Sequence, residues 1–246
     1  MIQTKEHNIK LIAHGCGPTI HPGATIASAK EALRQGADLV ELDIQLSADK
    51  QLLVSHDRNL LRLFGADLNC GEITAAEFLS LRCKNRPEYP SHLLEHFIIS
   101  GIKPLLVHIY AGYEGIPILM DLLEQYGVFA DTVFGIADMK MFDIIRSRDS
   151  SAKILAFATP EVAVELGKAG ADYLRLWERN LTEENINTFR ETGAELWVMS
   201  GGPDTGCPTG RPGEENLRRI LDIKPDGILV NDLPFARSVI EKVLAG

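Results

Sequence analysis

The stretch VELDIQLSADKQLLVSHD, residues 40–57, places two acids one residue apart on an apolar run, then a polar turn, then a second apolar run that ends in His-Asp. Residues i and i+2 of a strand face the same way, so Glu41 and Asp43 project from one side. Two ionised carboxylates held together in a low-dielectric site are costly unless a cation, a proton or hydrogen-bond donors compensate. A hard divalent cation, which prefers oxygen ligands, is one answer. A strand end whose acids face water is the other, and the spacing alone does not choose between them.

On both sides of this stretch, short runs rich in Val, Ile and Leu alternate with segments of helical period. Strands are predicted at 11–14, 38–44, 52–56, 104–109, 132–137, 153–158, 173–178, 195–200 and 227–231. Helices are predicted over Thr25–Gln35, opened by a capping Thr, over Ile116–Tyr126, and over Pro160–Lys168 with Pro in the first turn. Further helices run from a cap at Asn180 or Thr182 to Thr192, over Gly213–Leu221 and over Phe235–Leu244. If 52–56 is the return of a hairpin on the second strand, eight strands remain. Repeated strand-helix units of roughly 25 to 35 residues then suit a (β/α)8 TIM barrel, read as one domain over 1–246. The recurring QGAD (35–38), AGAD (169–172) and TGAE (192–195) fit that reading, each setting a Gly and a small residue between a helix and the next strand. A doubly wound open sheet would want G-x-G-x-x-G after the first strand, and HGCGPT (14–19) is not that.

The chain has 246 residues, 45% hydrophobic and 24% charged, with a formal net charge of -9. That balance argues against a nucleic-acid partner or an anionic membrane surface, so an anionic substrate needs a local positive site or a metal. The start, MIQTKEHNIKLIAHG, lacks an apolar h-region, and no run approaches the roughly 18 apolar residues of a membrane span, which makes the cytoplasm the default location. Cys16, Cys70, Cys83 and Cys207 form no C-x-x-C pair and read as reduced thiols. The sequence leaves a homo-oligomer open.

Active sites of such barrels lie at the C-terminal ends of the strands. His14 ends the first predicted strand, Asp43 lies near the end of the second, His56 ends the hairpin return, and His108 with Tyr110 ends the third. A lone histidine ending an apolar run is usually structural. Convergence from separated positions favours function for His14 and His56, whereas His7, His21, His92 and His96 have no such support.

These residues resemble the glycerophosphodiester phosphodiesterase family. Its pattern is a strand ending in His-Arg-Gly, P-E-N-T opening a helix, G-A-D, E-x-D with a T-x-D-G turn, and V-x-H-D. The matching text here is AHGCG, then HPGATIASAKEALRQGADLVELDIQLSADKQLLVSHDRNLLRLFG in register from Pro22 to Asp57, and near the end DGILVNDLPFA. The resemblance implies a TIM barrel of lipid metabolism that hydrolyses a small phosphodiester, with His14 and His56 as acid and base and with Glu41 and Asp43 holding Mg²⁺ or Ca²⁺. Departures from the pattern are specific. Gly15 stands where the family has a phosphate-binding Arg, and Gly23 where it has the Glu of P-E-N-T. His108-Ile109-Tyr110 replaces the third-strand E-x-K, whose Glu is a metal ligand and whose Lys binds phosphate.

His108 is the candidate third ligand, and its nitrogen suits Mn²⁺ or Zn²⁺ better than Ca²⁺. Tyr110 can donate a hydrogen bond to phosphate but no charge. The glycine-rich loop SGGPDTGCPTGRPG (200–213) carries Arg211, and its amides can cradle an anion or simply face solvent. Arg175 and Arg62 are further candidate cations. Trp177 and Trp197 are core residues or line a substrate pocket, and Trp197 is taken as a substrate contact. Two other readings compete with hydrolysis: a barrel of this type that has lost activity and binds a phosphate-containing ligand or a partner, and a different barrel enzyme acting on sugar phosphates. The last would want a glycine-rich phosphate loop after the eighth strand, which VNDLPFA lacks.

Overall fold

The computed structural model describes residues 2–3 and 8–245, so His7 lies outside the described residues. Eight parallel strands follow one another around a closed barrel: β1 (Asn8–Ala13), β2 (Leu39–Leu46), β3 (Leu105–Ile109), β4 (Thr132–Ile136), β5 (Lys153–Ala156), β6 (Tyr173–Trp177), β7 (Glu195–Met199) and β8 (Gly227–Val230). The ring closes where Ile228 of β8 pairs with Leu11 of β1. The strand Leu52–Val54 returns antiparallel on β2, with Val54 opposite Ile44, which is the expected hairpin. Around the barrel run α1 (Ile26–Arg34), α2 (Leu94–Ile99), α3 (Gly112–Gln125), α4 (Met139–Arg148), α5 (Pro160–Lys168), α6 (Glu183–Glu191), α7 (Glu214–Asp222) and α8 (Leu233–Ala245). None of the helices among the described residues is long and apolar enough to cross a membrane.

Local chemistry sets these elements. Thr25 caps α1 by accepting the Ser28 amide at 3.2 Å, and Thr182, not Asn180, caps α6. The repeated G-A-D has a physical role at the floor of the barrel. Gly36 and Gly170 turn the chain with φ of 86° and 102°, and the following acid then turns back to the previous strand. Asp38 accepts the Leu11 amide at 2.9 Å and Asp172 the Ile154 amide at 2.9 Å. TGAE departs from this, because Glu195 reaches inward to pair with Lys10 at 2.5 Å.

Alternation along the strands divides the core in two. Val40, Leu42, Ile44, Val107 and Leu174 face outward and pack on helix residues such as Ile116, Leu119, Ile145 and Leu166, each such burial contributing about 1.5–3 kcal/mol. Ile12, Leu39, Leu106, Val133, Leu155, Trp197 and Leu229 fill the interior. Trp197 therefore does not meet the expectation of a substrate contact. It is fully buried, its ring centroid lies 4.4 Å from that of Tyr173, and its Nε1 donates to Glu195 Oε2 at 3.0 Å. As the middle residue of β7 it points inward one layer beneath the strand end, where Met199 sits instead.

α2 and α4 form where no helix is predicted, and two further regions differ from the sequence expectation. α3 begins at Gly112, ahead of the predicted Ile116, and carries Pro117 within it. Between Val54 and α2 the chain makes an excursion of two short helices, Leu61–Phe64 and Ala75–Leu79, and a small hairpin, Arg82–Cys83 with Arg86–Pro90. Leu53, Leu60, Phe64, Phe78 and Leu93 give this excursion its own core. His56 and Asp57 stand at its entrance.

Candidate active site

A cavity of about 750 Å³ opens at the C-terminal end of the barrel. His14, Glu41, Asp43, His56, His108 and Tyr110 all line it, joined by Asp57, Arg62, Phe157, Arg175, Trp177 and Asn231. Trp197 and Arg211 are not among its lining residues. Arg211 is exposed at the rim and donates to the Pro18 carbonyl at 2.7 Å, fastening the 200–213 loop to the segment after β1. Of the two readings of that loop, an anion cradle or a solvent-facing surface, the first loses several of its amides to protein acceptors. Gly201 N–H donates to Glu178 Oε2 at 2.6 Å, Gly202 N–H to the Cys207 carbonyl at 2.9 Å and Gly210 N–H to the Ser200 carbonyl at 2.7 Å. Close packing is what Gly201 and Gly210 permit, a Cβ standing 2.2 Å from the Pro208 carbonyl oxygen at the first and 2.2 Å from the Asn231 side chain at the second.

Glu41 and Asp43 are 1% and 7% exposed, so both face the cavity rather than bulk water. Register sets them among neighbours: Glu41 pairs with Leu106 and Asp43 with His108. Glu41 Oε2 accepts the Gly15 amide at 2.5 Å, and His108 Nδ1 lies 3.0 Å from Asp43 Oδ1. Burial first, and then the charge of Asp43, push the Glu41 carboxyl well above the usual carboxylate range. Burial acts the same way on Asp43, but the hydrogen bond from His108 and the charges of His108, His56 and His14 outweigh it and hold Asp43 below its ordinary value. Ligand atoms of Glu41, Asp43 and His108 all lie within 4.8 Å of one another. A buried carboxylate pair of which one member is driven toward its neutral form is the electrostatic signature a divalent cation would relieve, and the two-oxygen, one-nitrogen donor set fits such an ion.

The His108 ring stacks on Phe157, centroids 4.0 Å apart and planes 15° apart, with Tyr110 4.2 Å away on another side. Gly135 of β4 makes the stack possible, since a Cβ there would stand 2.7 Å from the Phe157 ring and 3.1 Å from the His108 Cα. Burial lowers the His108 pKa against the opposing pull of Asp43.

His14 lies just beyond β1, its Nδ1 2.8 Å from Asn231 Oδ1. Asn231 Nδ2 donates to the Thr209 carbonyl at 3.3 Å, which orients the amide and leaves Oδ1 as the acceptor. His14 Nδ1 thus carries the proton and Nε2 is an acceptor. Burial keeps the His14 pKa below its usual value, although Asn231 and the Asp43 charge oppose it. His56 is more exposed, with Nδ1 2.7 Å from Asp57 Oδ1, and the second oxygen of Asp57 accepts Arg62 Nε at 2.5 Å. Burial raises the Asp57 carboxyl, but the bonds from Arg62 and His56 outweigh it and hold Asp57 below the ordinary range, so it is anionic at neutral pH. The sequence reading did not assign Asn231, Asp57 or Phe157. The first two had a signal, a polar residue directly after a strand and an acid directly after a site histidine.

On the far wall, β6 sends Arg175 and Trp177 inward. The Arg175 guanidinium lies 5.2 Å from the Phe157 ring centroid and 4.8 Å from that of Trp177. Arg175 is 7% exposed, and burial pulls its pKa down to about 10.

The sequence model of the glycerophosphoryl diester phosphodiesterase family matches residues 15–164, more than half of the chain. Lysophospholipase D GDPD1 of Rattus norvegicus is 28% identical over 170 residues, covering 63% of this chain and 54% of that protein. A glycerophosphodiester phosphodiesterase of Caldanaerobacter subterraneus is 34% identical over 105 residues, 40% of this chain and 43% of the other. The chain spans about half the length of the curated relatives it matches. Among solved structures, a putative glycerophosphoryl diester phosphodiesterase from Silicibacter pomeroyi superposes with a TM-score of 0.81 at 14% identity, covering 98% of this chain and 96% of that one. An Oleispira antarctica phosphodiesterase in complex with the product sn-glycerol-3-phosphate superposes at 0.78 with 17% identity, covering 94% and 96%. The structures share the fold, and the match of residues 15–164 runs from just after β1 into α5 of that fold: this chain belongs to the glycerophosphoryl diester phosphodiesterase family.

Proposed function

We propose that this chain hydrolyses a small glycerophosphodiester to sn-glycerol 3-phosphate and an alcohol. One observation carries the reading: two histidines, each with its Nδ1 held by a side-chain acceptor, line one cavity with a buried carboxylate pair. His14, neutral and with Nε2 free, is the general base that takes a proton from the attacking oxygen. His56, oriented by Asp57, is the general acid whose Nε2 gives a proton to the departing alkoxide as the P–O bond breaks. Water adds across that bond overall, so the diester and one water give the monoester and the alcohol. Glu41, Asp43 and His108 would hold a divalent cation, which when bound supplies Lewis-acid polarisation of a phosphoryl oxygen. Mg²⁺ or Ca²⁺ suits the two carboxylates, and His108 draws the preference toward Mn²⁺ or Zn²⁺.

The kinship with a lysophospholipase D and a glycerophosphodiester phosphodiesterase supports this substrate class. The same cavity also supports a second reading, binding of a phosphate-containing ligand without turnover, favoured by Gly15 and Tyr110 at positions where the family pattern has cations. The test is release of glycerol 3-phosphate from glycerophosphocholine, glycerophosphoethanolamine and lysophospholipids across Mg²⁺, Ca²⁺, Mn²⁺ and Zn²⁺, with and without chelator. Metal-dependent release is expected. Binding without release from any diester would favour the second reading.

A further inference from the structure

A phosphodiester bound here needs positive charge, and Arg62, the other arginine on the cavity wall, is already paired with Asp57. We propose that Arg175 supplies it, its guanidinium binding the anionic phosphoryl oxygens from the wall facing the Glu41–Asp43 pair. The strand order puts β6 opposite β2 in the ring of eight, so cation and acids approach a bound phosphate from opposite sides.

The state of its donors sets Arg175 apart. Nε and Nη1 are buried and have no hydrogen-bond partner, and a buried polar group left unpaired in a native structure calls for a reason. Arginines with a structural task in this protein are bonded. Arg146 donates to the carbonyls of Ser150, Ala152 and Gly170 at 2.6 to 2.7 Å, and Arg237 donates to the carbonyl of Gly36 at 2.9 Å. Contact with the rings of Phe157 and Trp177 fixes the plane of the Arg175 guanidinium while leaving its edge donors unused. Each of these donors forms one of the two guanidinium forks together with Nη2, and such a planar fork matches two oxygens of a phosphate in a way an ammonium does not. The charge that the family pattern draws from β1 and β3 thus comes, in this chain, from β6.

Identifying the oxyanion as a substrate phosphodiester rests on the hydrolase reading, whereas the oxyanion site itself does not, and inorganic phosphate is the probe. Calorimetric titration at fixed Mg²⁺ compares the wild type with Arg175→Met and Arg175→Lys, with thermal melting of each. Arg175→Met is expected to weaken phosphate binding roughly 10- to 100-fold. Its melting temperature should hold or rise, because an apolar side chain of similar length removes two unpaired buried donors. Arg175→Lys keeps the charge without the fork and should lose affinity several-fold. Unchanged phosphate affinity in Arg175→Met, or no phosphate binding by the wild type, overturns the assignment. If Arg175→Met does not fold, Arg175→Lys decides, and wild-type affinity in that variant overturns it. Phosphate binding that depends on Arg175 in a protein that releases no glycerol 3-phosphate overturns the hydrolase reading and upholds the oxyanion site.

Discussion

His14 Nδ1 lies 2.8 Å from Asn231 Oδ1, so the residue directly after β8 decides which nitrogen of the residue directly after β1 carries the proton. Removing that acceptor leaves the ring free to rotate and to change tautomer. Asn231→Ala should lower kcat about 10- to 100-fold, the usual effect of losing a partner that orients a functional histidine. Asn231 also raises the affinity of His14 for its proton. Its loss should therefore move the acid limb of the kcat/KM profile to lower pH, since His14 would stay neutral further into acid. Steady-state kinetics across pH read both effects, and an unmoved limb with unchanged kcat would remove Asn231 from the mechanism.

His108 stands where the family pattern places a Glu, which exchanges an anionic oxygen for a neutral nitrogen in the three-residue donor set. Metal preference should shift from Ca²⁺ toward Mn²⁺ or Zn²⁺. His108→Glu should restore Ca²⁺ binding, because Glu41 and Asp43 already face the same point. Titration of both forms with Ca²⁺ and Mn²⁺ checks this, and an identical preference would mean that His108 does not touch the ion.

Trp197→Ala should damage the fold rather than the chemistry. The indole is fully buried in the barrel interior with its N–H satisfied by Glu195, and truncating such a side chain typically costs about 3–5 kcal/mol. Chemical denaturation should register that loss while the folded fraction keeps a wild-type KM. A raised KM without a stability loss would return Trp197 to the substrate site.

The barrel was legible because short apolar runs alternate with segments of helical period, because β2, β6 and β7 each follow a Gly-Ala-acid turn, and because alternation along 40–57 fits a strand pair. α4 was missed, since Lys140, Asp143, Arg146 and Arg148 interleave its apolar Met141, Phe142 and Ile145. The excursion after Val54 was missed because its helices and strands are 2 to 5 residues long, too short to display a period. Strand-end histidines and acids could be placed from parity. Arg211 and Trp197 could not, because a loop residue's direction and a strand residue's depth in the barrel depend on closure of the ring. Arg175 was nameable only as one arginine among several, and its unpaired donors exist only in three dimensions.

His92 offers a pH test of stability. Burial first, and then the neighbouring His96 and Arg82 charges, lower its pKa to about 4. Unfolded, it titrates near about 6.5. Between those values the unfolded chain binds more protons at this position, so stability present above about pH 6.5 is lost as pH falls toward 4. His92→Gln should flatten that part of the melting-temperature profile. A profile as steep as the wild type would mean that other groups govern the acid limb.

The division of labour between the two histidines is tested most directly by changing the leaving group. A glycerophosphodiester of p-nitrophenol needs little protonation of the departing oxygen, whereas one of an aliphatic alcohol needs it fully. His14→Ala should lose about 10²- to 10⁴-fold in turnover on both substrates, while His56→Ala should lose that much on the aliphatic diester and recover most of it on the p-nitrophenyl diester. Equal losses for both variants on both substrates, or full activity in either variant on the aliphatic diester, would contradict His14 as base and His56 as acid.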